Sequence, residues 1–188
     1  MEREVIEECM QLALQAPTGS NRQGWQFVFI TDPAKKKALA EMYAAGFDPY
    51  VNVQGPQYDE GDIRAERREF VRGSATYLRD HFHEVPVMLI PCIEGRLDVG
   101  TPTFAQASVW GSLLPAVWSF MLAARSRGLG TAWTTLHLPK EKEAAELLGI
   151  PYDRFTQAGL IPVAYTKGTD FKPAPRLALD TVVHWESW

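Results

Sequence analysis

The chain has 188 residues, 46% hydrophobic and 22% charged, with a net charge of −4. That length suits one domain, or one protomer of an intertwined oligomer, and folding at this size buries roughly 70% of the unfolded surface without a staple. A mildly acidic balance with scattered Lys and Arg excludes a nucleic-acid footprint. Cys9 belongs to the apolar face of the first helix and Cys92 to a strand-like run, so both read as small core residues rather than a disulfide framework.

Met1-Glu2-Arg3-Glu4 leads into an amphipathic segment, not an apolar one, so no signal peptide is read and the cytoplasm is the expected compartment. Val5, Ile6, Cys9, Leu12, Ala13 and Ala16 recur at helical spacing and predict a helix over 2–16, ended by Pro17. Residues 25–31 are rich in aromatic and β-branched types and predict a strand. Asp32 as N-cap and Pro33 at the first helical position open a helix over 34–44, with Lys35-Lys36-Lys37 expected on its solvent face. Residues 46–62 scatter Gly, Pro, Asp and Asn and read as a loop. A charged helix over 63–83 and a nearly continuous apolar strand over 85–93, expected to be central, follow.

Thr101-Pro102 then opens a long helix to about 127, closed by Gly128-Leu129-Gly130. The run 104–124 carries no charge, and its length alone permits a membrane span. Gln106, Ser108, Gly111, Ser112, Pro115 and Ser119 make it too polar for a lone span, so the reading is a buried central helix at a subunit interface, with no membrane partner. A strand over 131–136, a helix over 139–148 closed by Gly149, a strand over 157–165 and a short strand over 181–185 complete the chain. Alternating helices and strands incline toward a parallel α/β sheet. The chain nevertheless has no Gly-x-Gly-x-x-Gly after its first strand and no Walker loop, so the dinucleotide and P-loop readings lack their phosphate cradle.

The informative segment is Ala16-Pro17-Thr18-Gly19-Ser20-Asn21-Arg22-Gln23-Gly24-Trp25, a small-residue loop between helix and strand. Small side chains let backbone N–H groups approach a flat ligand, and Asn21 and Gln23 offer both donors and acceptors. The run resembles the Pro-Ser-x-x-Asn-x-Gln-Pro-Trp signature of the nitroreductase family of FMN-dependent oxidoreductases. Thr18 stands for Ser and Gly24 for the second Pro. Gly128-Leu129-Gly130-Thr131, Thr134-Thr135-Leu136-His137, Leu148-Gly149-Ile150-Pro151, Ile161–Tyr165 and the Arg176-Leu177-Ala178-Leu179-Asp180…Val182-Val183-His184-Trp185 tail are similar to family elements in the same order.

The resemblance implies an α+β fold: a single-domain, nitroreductase-like α/β/α sandwich with a mainly antiparallel sheet, its C-terminal tail exchanged between subunits of a homodimer. It implies FMN as cofactor, NADH or NADPH as electron donor, and a nitroaromatic, quinone or similar small molecule as acceptor in a ping-pong hydride transfer. Pro17, Thr18, Gly19 and Asn21, with Gln23 beside them, are assigned to the flavin ring and ribityl chain. Thr134, Thr135, Leu136 and His137 occupy the stretch that places backbone against the ring. Arg176 is the principal phosphate ligand, with Arg22 in the loop able to reach phosphate too. The chemistry belongs to the cofactor, so no catalytic side chain is assigned. No metal site is read either, since His81 and His83 are two apart on a helix and do not share a face. His137 reads as a loop histidine with a backbone partner rather than a proton donor.

One departure stands out. Family members open with an Arg-Arg-Ser-x-Arg stretch that grips the FMN phosphate, whereas this sequence starts inside the following helix and Arg3 does not match. Loss of a charge-assisted contact costs about 1.5–3 kcal/mol, so weakened FMN binding is expected. Two alternatives share the fold: a flavin-binding or carrier protein without turnover, and a flavin-fragmenting synthesis of dimethylbenzimidazole.

Overall fold

The computed structural model describes residues 1–53 and 55–188. Five strands form one mixed-length, wholly antiparallel sheet: β1 (Trp25–Ile30), β2 (Val87–Glu94), β3 (Leu129–Thr131), β4 (Phe155–Gln157) and β5 (Ile161–Tyr165). The path runs β1-β2-β5-β3, with β4 paired to β2. The sheet is open, and the antiparallel pairing overrides the parallel inclination of the alternating pattern. β2 is central, as its apolar run predicts; seven of its eight residues are buried, and alternate side chains feed opposite faces.

Val87, Leu89 and Ile93 pack with α1 (Arg3–Ala13) and α5 (Thr103–Ser126), whereas Met88, Ile90 and Cys92 pack with α2 (Pro33–Val51) and its neighbours. On that second face lie α4 (Arg68–His81) and α6 (Glu141–Leu148), the last closed by Gly149 at φ 71°, and α3 (Ile63–Glu66) adjoins α4. Three layers result, helix–sheet–helix, each face of the sheet carrying its own apolar cluster.

Several boundaries differ from expectation for identifiable reasons. The first helix ends at Ala13, because the N–H groups of Gln15 and Ala16 tighten into bonds to Leu12 and Ala13 before Pro17. α2 runs on to Val51, into the segment read as a loop over 46–62, within which Gln54 lies outside the described residues. Phe47 is 4% exposed and joins Tyr43 and Phe82 in an aromatic cluster, and that burial outweighs the Gly and Pro signals. Lys36 is not on the solvent face, since successive helical residues turn by about 100° and one of three must point inward. Its ammonium donates to the Val85 carbonyl at 2.6 Å.

The strand expected over 131–136 stops at Thr131; beyond it only Thr134 pairs, in an isolated bridge to Leu160. The strand expected over 157–165 is two pieces lying along the same edge of β2. Its pairing slips by one residue between Cys92↔Gln157 and Leu89↔Ile161, the signature of a bulge. Gly159 sits at that bulge, where a Cβ would lie 2.8 Å from the Thr134 carbonyl oxygen. The 181–185 strand does not form; the chain makes a short 3-10 turn at Leu179–Thr181, with every residue from 167 to 188 exposed. A strand needs an edge to pair with, and the tail meets none among the described residues of its own chain.

α5 is also less buried than a central helix should be. Leu113, Val117 and Phe120 are sealed in the core, but Trp118 and Leu122 are about half exposed and Phe104 is 85% exposed.

Candidate functional site

Loop 17–24 folds into a compact turn by adopting unfavourable backbone geometry. Ser20, Asn21 and Gln23 all have positive φ, at 54°, 54° and 50°. Only glycine takes this region freely; other residues pay about 1–2 kcal/mol, Asn less. A set of local bonds holds the strain. Asn21 N–H donates to Thr18 O (3.0 Å) and Arg22 N–H to Gly19 O (3.2 Å). Gln23 N–H donates to Thr18 Oγ1 (3.1 Å), and the Gln23 amide donates to Asn21 Oδ1 (2.9 Å).

The loop is anchored to α5 through one residue pair. Gly19 N–H donates to Ser112 Oγ at 2.9 Å, and that hydroxyl donates to Ser108 O at 2.7 Å. A Cβ at Gly19 would stand 2.9 Å from Ser108 Oγ, so the glycine permits the approach. Between the loop, the end of β2 and the start of α5 lies a cleft of about 410 Å³. Four hydroxyls (Thr18, Ser20, Ser108, Ser112), the Arg22 guanidinium, the Glu94 carboxylate and Phe104 give it a polar floor and an aromatic mouth. Arg22 makes no ion pair among the described residues, whereas Glu94 reaches Arg154 at 3.4 Å.

Sequence reasoning placed Thr18, Gly19 and Arg22 here, and all three line the cleft. Pro17, Asn21 and Gln23 belong to the same turn and are exposed. Ser108 and Ser112 were missed as site residues, although two serines one turn apart in an otherwise apolar helix were a visible signal. Trp25 is 8% exposed and packs on the α1–α5 side of the sheet beneath the loop.

The second group, Thr134–His137, is not brought to this cleft. Thr134 bridges Leu160, level with Ile90 by continuation of the β2–β5 register, three positions along β2 from Ile93. At strand rise that is about 10 Å along β2, and Thr134 stands a further two strand spacings, again about 10 Å, to the side. Thr134 and His137 are buried and Thr135 exposed. His137 is fully buried and bonds Gln157 Oε1 at 3.1 Å, so its partner is a side-chain amide rather than the backbone. Burial pushes its pKa down to about 4. It is therefore neutral at ordinary pH and out of reach of any ligand at the surface. Arg176 lies in the exposed tail, where, among the described residues, its guanidinium donates only to the neighbouring Pro175 carbonyl at 2.9 Å.

The nitroreductase family profile matches residues 1–165, the whole body without the exposed tail. The chain belongs to the nitroreductase family. It is 26% identical to nitrobenzene nitroreductase of Ectopseudomonas oleovorans, covering 84% of this chain and 75% of that one. It is likewise 26% identical to chloronitrobenzene nitroreductase of Comamonas testosteroni, over the same shares. Its nitroreductase fold is shared with oxidised iodotyrosine deiodinase bound to FMN and 3-iodo-L-tyrosine, at a TM-score of 0.74 and 23% identity, covering 100% of this chain and 90% of that one. It is also shared with a BluB-like flavoprotein from Clostridium difficile 630, at 0.67 and 16%, covering 98% and 90%. One nitroreductase scaffold thus carries reductases, a deiodinase and a BluB-like flavoprotein, so the site and not the fold must decide the reaction.

Proposed function

We propose that this nitroreductase-family chain is an FMN-dependent oxidoreductase that takes a hydride from NADH or NADPH and passes electrons to a nitroaromatic or quinone-type acceptor by a ping-pong route. The observation that carries this reading is the strained loop 17–24 anchored by Ser112 over a hydroxyl-lined cleft. FMN, when bound, supplies two-electron chemistry that no amino-acid side chain offers.

The residues present suit that group. Four hydroxyls match a polyhydroxylated ribityl chain, and Gly19 and Gly24 keep side chains out of a planar ligand's way. Arg22, without a carboxylate partner among the described residues, is available to phosphate, and Arg176 is a second exposed guanidinium. In this reading Pro17, Thr18, Gly19, Asn21 and Gln23 hold the ring and ribityl chain, and the Thr134–Leu136 backbone faces the ring.

The proposed enzyme works as a homodimer. Within one chain the loop and the Thr134–His137 turn stand apart, so a complete site takes one piece from each subunit. A second copy also gives the tail a partner: Leu177, Leu179, Val182, Val183, Trp185 and Trp188 are exposed, as are Trp118 and Leu122 of α5. Apolar exposure on that scale fits a covered interface better than a bare monomer surface.

The test is an absorption spectrum of protein saturated with FMN, followed anaerobically. Bleaching on NADH or NADPH and recovery on a nitroaromatic or quinone supports the proposal. Bound flavin that stays oxidised with both nicotinamides replaces it with a carrier, and dimethylbenzimidazole in the product mixture replaces it with a flavin-fragmenting synthesis. Failure to bind FMN overturns it.

A further inference from the structure

The turn from β3 to α6 is pinned from three directions. On the sheet side Thr134 Oγ1 donates to Leu160 O, while Leu160 N–H donates to Thr134 O at 2.9 Å. On the helix side a Cβ at Gly46 of α2 would run into the Leu136 carbonyl, so only glycine lets α2 lie against the turn. On the core side the contact is His137.

Proton counting fixes what His137 does there. The Gln157 side-chain NH2 donates to Glu141 O at 2.9 Å, so its Oε1 is the atom turned to the imidazole. His137 must then donate from Nε2, which leaves Nδ1 unprotonated; that nitrogen is buried and has no partner among the described residues. The chain of contacts continues. Gln157 N–H donates to Glu141 Oε1 at 2.8 Å, and Arg96 grips the Glu141 carboxylate with both terminal nitrogens at 2.9 Å. Arg96 also donates to Phe155 O at 2.8 Å and lies 4.1 Å over the Tyr152 ring. Arg96 directly follows Gly95, which lines the cleft and whose carbonyl accepts from Thr156 Oγ1 at 2.7 Å. One polar network, buried at His137 and Gln157 and half-buried at Glu141 and Arg96, therefore runs from the Thr134–His137 turn to the rim of the cleft beside loop 17–24.

We infer that His137 is a positioning residue: anchored through Gln157 to the Glu141–Arg96 pair, it fixes the Thr134–Leu136 backbone, the piece that this chain gives to the composite site. This rests on the flavin reading given above. The imidazole touches no ligand and passes no proton; it acts by donating one hydrogen bond inside the core. Removing the His137 donor leaves the buried Gln157 Oε1 unsatisfied, which the turn relieves by shifting. A small misplacement in a cofactor-facing backbone is costly to binding.

The experiment titrates the full chain with FMN by flavin fluorescence, records the absorption spectrum at saturation, and melts the ligand-free protein. His137→Phe removes the donor, and His137→Gln keeps an N–H near the Nε2 position. H137F is expected to weaken FMN about tenfold and to shift the bound flavin's absorption maximum, while H137Q stays within about threefold with the wild-type spectrum. H137F that loses stability but keeps wild-type affinity and spectrum overturns the inference and makes His137 a packing residue. Should H137F not melt cooperatively, Glu141→Gln serves instead. It is expected to weaken FMN about threefold with the same spectral shift, and unchanged affinity and spectrum overturn the inference. Wild-type protein that takes up no FMN overturns the functional reading as well; wild-type uptake with indifferent variants overturns this inference alone.

Discussion

Loop 17–24 lies at the surface, carries three non-glycine residues at positive φ, and is tied to the body through Ser112. The Thr134–His137 turn is sunk against the sheet, pinned by Leu160, Gly46 and Gln157. The first is held by local bonds that offset backbone strain; the second is held by packing and a buried network. Loop geometry of the first kind is open to a ligand's influence, because most of its residues are exposed and its strain is relieved by small changes. Geometry of the second kind is set before any ligand arrives.

That contrast can be broken most sharply at Gly46. Replacing it with Val drives a branched side chain into the Leu136 carbonyl, where backbone cannot yield as a side chain does. A loss of about 3 kcal/mol in urea-induced unfolding is expected, near the top of the overpacking range. A small loss would mean that α2 slides easily and the turn is not pinned.

Acid should act on the same side of the comparison. The folded protein binds a proton on His137 only near pH 4, against an ordinary value of 6.5. Between those values the unfolded chain holds more protons, so stability falls as pH drops through the window. His137 alone then removes about 3 kcal/mol between pH 7 and pH 4. H137Q should flatten that part of the stability profile, and an unchanged slope would assign the acid sensitivity elsewhere.

Effects at the surface loop should be smaller. Ser112→Ala removes the acceptor of Gly19 N–H and is expected to cost about 1 kcal/mol, with FMN binding weakened more than the melting temperature suggests. Ser20→Gly should do the reverse for stability, raising it by up to about 1 kcal/mol, because glycine takes φ 54° without penalty. A destabilised S20G would show that the hydroxyl, not the strain, dominates at that position.

The two pieces were not equally legible in the sequence. Loop 17–24 announces itself: Pro17 stops a helix, glycines and amides follow, and Trp25 begins an apolar strand, all within one stretch. Thr134–His137 is visible only as a resemblance. Its network needs Gln157, Glu141 and Arg96, which are far apart in sequence and individually ordinary. Gly46 read as a loop residue because a glycine inside a helix pattern is locally unfavourable, and its reason to be there is a carbonyl from another element. The same holds for the bulge at Gly159, where a continuous apolar run hides a one-residue slip.

What the sequence determined by itself was whatever local chemistry encodes: where α1, α2 and α5 begin, the central apolar strand, the surface loop and the family. Helical period, capping and turn residues act over a few positions, so they can be read in order along the chain. Only the tertiary structure decided the antiparallel pairing, the extension of α2 through Phe47, the inward turn of Lys36, the neutral buried state of His137 and the unpaired tail. Each of these depends on which distant residue supplies a partner, and a linear pattern does not contain that information.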